Sequence, residues 1–148
     1  MKLILIPLLV LTNAAPIFGA DIPNEDELKS LTDRTLLAWN KAVLKKDFTA
    51  FCKKEVASAV QDQLTPEKLL ASFKEPVDKA IDISPAVKEM EPEFKPEPSI
   101  SPVGDFDVLT VRGFYDTKPN RLSFQLKYIE QNEEWKVVGV DVTIRSQD

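Results

Sequence analysis

The sequence predicts an α+β domain, with helices at the front of the chain and an antiparallel sheet behind them. Three observations carry that expectation. Apolar residues recur every three to four positions between Glu25 and Val77, the period drops to two after Gly104, and a proline-rich stretch over 84–104 divides the two regimes.

The first helix is predicted over 25–45. Asn24 with Glu27 three positions on forms a capping box, and Leu28, Thr32, Leu36, Trp39 and Val43 follow at helical spacing. Asp47 is placed to start a second helix, in which Phe48, Phe51, Cys52, Val56 and Val60 repeat at three to four. Thr65-Pro66-Glu67 is a third start: a hydroxyl cap, proline in the first turn, then an acid near the positive helix end. Leu69, Leu70, Phe73 and Val77 give its buried stripe, and Pro76 should end or kink it.

Pro85, Pro92, Pro96, Pro98 and Pro102 alternate with Glu89, Glu91, Glu93 and Glu97. Proline lacks the amide proton that helices and central strands use, so this stretch reads as an extended surface connector with one edge strand near Phe94–Ile100. Beyond it, Leu109, Val111, Gly113 and Tyr115 alternate in one strand, and Leu122, Phe124, Leu126 and Tyr128 in the next. Thr117-Lys118-Pro119-Asn120 and Gln131-Asn132-Glu133 are the turns. In the last strand Val138, Val140, Val142 and Ile144 form the apolar row. One face of this meander should pack on the helices.

Composition narrows the chemistry. Of 148 residues none is histidine, which removes Ser-His-Asp and Cys-His catalysis and histidine-ligated zinc. The net charge of −5 argues against nucleic acid as a partner. No cofactor and no metal site is expected, because the acids of 89–97 and 105–107 lack calcium-loop spacing and scattered glycines build no phosphate loop. Lys2, an apolar run from Leu3 to Leu11, and the small pair Gly19-Ala20 make residues 1–20 a secretory signal cut near Ala20. The run is far below the ~20 residues of a membrane span, so no stable membrane anchor is expected. One domain then fills 21–148, and the absence of glycosylation sequons favours a bacterial periplasmic or secreted address. Cys52, the single cysteine, has no disulfide partner and reads as a core thiol.

The strand block Leu109–Tyr115, Phe124–Tyr128 and Trp135–Val142, preceded by the helical stretch Trp39–Phe51, resembles the nuclear transport factor 2-like superfamily. Within it, the chain is most similar to small exported bacterial members of unassigned activity. The resemblance covers most of 25–145 and rests on packing motifs. It implies a curved, cone-like sheet that wraps the helices and leaves a pocket at its open end. It also brings an enzymatic alternative, since ketosteroid isomerase-like members use a pocket carboxylate with a tyrosine. Here Tyr115, Tyr128, Glu130 and Trp39 are the pocket candidates.

Three functions follow as expectations: an exported non-catalytic domain binding a small apolar ligand or partner protein, an isomerase- or lyase-like enzyme, or a structural module. Strand alternation also turns Phe114, Ile129, Trp135 and Val137 to the far side of the sheet. Large apolar residues on an otherwise wet face suggest a homodimer formed sheet to sheet.

Overall fold

A computed structural model describes residues 21–146, so the predicted signal segment lies outside the described residues. Helix α1 spans Glu25–Lys45. Its start is the reciprocal cap expected from sequence: the Glu27 amide and the Glu27 carboxylate both meet the Asn24 side chain, each at 2.9 Å. Lys46, left-handed at φ 57, ends it. One long face of α1 is buried, from Leu28 to Val43, and it includes the polar residues Thr32, Thr35 and Asn40.

Helix α2 covers only Thr49–Lys54, shorter than the periodicity suggests. Asp47 holds its start by accepting from the Thr49 amide and hydroxyl, at 2.9 and 2.6 Å. The helix stops because the next residues bond elsewhere. The Val137 amide donates to the Glu55 carbonyl (2.7 Å) and the Ala57 amide to the Val137 carbonyl (2.9 Å), so Val56 bridges the sheet in parallel. Val60 then falls in a 3-10 turn, Ser58–Val60.

The third start is as expected, with Thr65 capping α3 over Pro66–Ser72. The break comes at Phe73, before the proline, and Pro76 sits in the first turn of α4, Lys74–Asp78, where its missing donor costs nothing.

The connector departs from expectation. It contains a helix, α5 over Ser84–Glu89, with Pro85 in the first turn. Ahead of it, Asp82 accepts from the Ser84 amide and hydroxyl at 3.0 and 2.7 Å. Proline at a helix start is an asset, because the amide proton it lacks would have no partner there. Two edge strands follow rather than one: β1, Glu93–Phe94, and β2, Ser99–Val103. They share one edge of β3, Phe106–Tyr115. With β4, Asn120–Gln131, and β5, Glu134–Ser146, the result is a five-stranded, wholly antiparallel open sheet.

Register decides which side chains reach the core. Leu126 faces Val140 and Lys127 faces Gly139, yet Tyr128 faces Val137. Val138 is therefore an extra residue, a β-bulge, and the phase of β5 inverts on passing it. Val137, fully buried, and Trp135 join the core face, while Val138 turns to the other side. This corrects the expected outward placement of Trp135 and Val137 and the inward placement of Val138.

The core itself lies between α1–α5 and one sheet face. Leu36, Trp39, Val43, Phe51, Leu69 and Phe73 pack there with Leu109, Val111, Leu122, Phe124, Leu126 and Val142. On the opposite face Ala57, Val108 and Ile129 form a small second cluster under Val60 and Val138.

Candidate functional site

An open groove of about 580 Å³ lies between the Ile81–Met90 segment and the β3–β4 turn. Its first wall is positioned by Asn40, buried on α1. The Asn40 amide donates to the Ile81 carbonyl at 2.8 Å and accepts from the Ile83 amide at 3.2 Å, so one side chain holds both ends of the loop that leads into α5. The second wall, Asp116 to Asn120, is braced by Arg121, whose guanidinium meets Asp116 at 3.2 Å and lies 4.3 Å over the Phe114 ring. Leu122 and Ile144, neighbours across β4 and β5, supply the sheet side. Ile81, Ile83, Ala86 and Met90 line the facing wall. Asp82, Glu89, Asp116 and Lys118 add charge to the lining. The arrangement suits a ligand with an apolar body that also carries polar groups.

The residues singled out as pocket candidates lie elsewhere. Tyr115, Tyr128 and Trp39 are all at 0% exposure, and none of them lines the groove. Tyr128 faces Leu109 at one end of β3 and Tyr115 sits at the other, yet α1 gathers both hydroxyls. Tyr128 Oη and Thr35 Oγ1 lie 2.7 Å apart, and the Thr35 hydroxyl donates to the Leu31 carbonyl, which assigns Tyr128 as donor to Thr35. The Tyr115 hydroxyl donates to Asp33 Oδ1 at 2.7 Å. Asp33 is also paired with Lys29 one turn back, and that bond raises the Lys29 ammonium above its usual pKa. Burial, first of all, pushes both phenols well above the ordinary tyrosine value.

Trp39 packs edge-on against Phe73, ring centroids 5.3 Å apart. Its indole nitrogen has no hydrogen-bond partner among the described residues. Glu130 is exposed at the end of β4 and lines a surface notch with Asp105, Phe106 and Asp107.

The four interface candidates are also separated. Val137 is core, and Trp135 borders a shallow cleft with Leu31 and Arg34, whose guanidinium donates to the Trp135 carbonyl at 3.2 Å and to Glu55 at 3.1 Å. Ile129 is sealed beneath Ala57 and Val60, and Phe114 is half-covered by Arg121. They form no continuous apolar face.

Asp33 and Asn40 are polar residues of structural weight that hydrophobic periodicity does not mark. Asn40 was visible as a polar residue inside an apolar row, next to Trp39. Asp33 was hidden, because four residues after Lys29 it looks like any surface ion pair.

The chain matches no protein-family profile, and no curated protein or solved structure shows significant similarity to it.

Proposed function

We propose that this chain is an exported, non-catalytic binding domain of the nuclear transport factor 2-like type, and that the groove between α5 and the β3–β4 turn takes a small apolar ligand. One observation carries the reading: Ile81, Ile83, Ala86, Met90, Leu122 and Ile144 give the concavity an aliphatic share of its lining, while the tyrosines suited to acid–base work are sealed inside the core. A proton-transfer site needs its groups within reach of a substrate. Tyr115 and Tyr128 spend their hydroxyls on Asp33 and Thr35 instead.

The long first helix, the short helices after it and the antiparallel meander support the superfamily assignment, in which the sheet curls cone-like about the helices. Export rests on the pattern of residues 1–20. Among the described residues no helix is long and apolar enough to cross a membrane.

Native mass spectrometry of the mature protein, purified without denaturant, tests the proposal. A bound apolar species lost on Ala86→Trp, with the melting temperature kept, is the expected result. A ligand-free protein that also takes up no fatty acid or hydrophobic dye at the groove would remove the reading.

A further inference from the structure

The two edges of the sheet are built differently. On the β3 side, β1 and β2 cover the edge, and Pro92, Pro96, Pro98 and Pro102 blunt what they expose. On the β5 side only the start of the strand is closed, where Glu55 and Ala57 bond to both polar groups of the Val137 backbone. From Val138 to Arg145 no further strand pairs outward among the described residues. That stretch holds neither proline nor lysine, the usual guards of an open edge.

Its only charged residues are Asp141 and Arg145, of opposite sign and on the outer face. Neither forms an ion pair within the chain among the described residues. Arg145 stands instead opposite Arg121, a like charge. On the core face of the same stretch, Val140 and Ile144 keep part of their surface exposed, whereas Val142 is buried.

From this edge we propose that two copies of the chain join β5 to β5, antiparallel, with the two-fold axis at Thr143. That register sets Asp141 against Arg145 of the second copy, and Arg145 against its Asp141. On the other face Val142 meets Ile144 in both directions, and the two Thr143 side chains pair at the centre. Aliphatic, hydroxyl and opposite-charge pairs are the favourable cross-strand combinations. Centring on Asp141 or Arg145 would oppose like charges, as would a parallel in-register pairing. The pairing is isologous and closed, so it stops at two copies. It forms one continuous sheet of ten strands from two five-stranded halves. The groove walls at Ile144 then lie beside the joint.

Light scattering on the mature chain over a wide concentration range, with single and double charge exchanges, tests it. Asp141→Arg alone or Arg145→Asp alone should raise the dimer dissociation constant by about tenfold or more, since two pairs become two repulsions. The double variant, and an equimolar mixture of the two single variants, should restore the dimer. Both side chains are exposed, and circular dichroism checks that each variant is folded. A wild-type chain that stays at monomer mass at the highest concentration overturns the proposal. So does a dimer indifferent to the exchanges.

Discussion

Phe124 sits where the sheet, the connector and Tyr115 meet. Its ring lies 5.8 Å from Tyr115 and 6.3 Å from Phe94, and the residue is 4% exposed. Phe124→Ala removes those contacts together and should cost about 3–5 kcal/mol, read from urea or thermal unfolding. Beside it, Gly113 leaves room for β1: a Cβ there would stand 2.2 Å from the Glu93 carbonyl oxygen and 2.9 Å from the Phe124 ring. Gly113→Ala should therefore lose about 1–3 kcal/mol. Gly139→Ala meets nothing nearer than Lys127 at 3.4 Å and should stay within about 0.5 kcal/mol of the parent. Equal melting temperatures for the two variants would contradict this close approach. Gly113 was visible in the sequence only as one member of an alternating row. Its reason, a backbone oxygen from a strand many residues earlier, is a tertiary fact.

At the scale of elements, α1 and the three long strands were legible because each carries its own signal. A reciprocal cap and an apolar stripe mark α1, and alternation marks β3, β4 and β5. Helix α5 was not legible, since proline frequency outweighed proline position. Nor was the bulge at Val138. Val137-Val138 is a pair of identical residues, so alternation cannot say which one faces inward until the partner strand sets the register. The same inversion moved Trp135 and Val137, two of the four interface candidates, to the core side. Trp135→Glu should accordingly destabilise the fold by about 1–3 kcal/mol, with a lower melting temperature and the oligomeric state of the folded fraction unchanged. A variant that melts like the parent but changes in mass would place the indole at a contact between copies.

For the whole molecule, the two tyrosines tie the sheet to α1, and both are the only phenols in the chain. Burial raises each above its ordinary value of 10.0. Below that value the native and unfolded states are equally protonated at these sites, so the stabilisation is complete. Above it the unfolded state releases protons that the native state keeps. Stability should then fall with rising pH by as much as about 2.7 kcal/mol per unit for two such groups. The check is phenolate absorbance recorded with far-ultraviolet circular dichroism. No ionisation step should appear near pH 10, and phenolate should form together with the loss of helix. A separate, reversible step near pH 10 in the folded protein would mean that a hydroxyl is open to water.

The order of elements along the chain has a kinetic meaning as well. Leu36, Trp39 and Val43 reach a ribosome's exit long before Leu109, Leu126 and Val137, the residues that bury them. The Glu55–Ala57 segment likewise waits for Val137, in the last strand, to receive its hydrogen bonds. Until the strands are out, the helices lack the sheet face on which they close, and long-range pairing of this kind is slow. A growing chain thus stays open and adhesive, in need of a holder. The export proposed above would draw on this slack state, the one that a narrow translocation channel can thread.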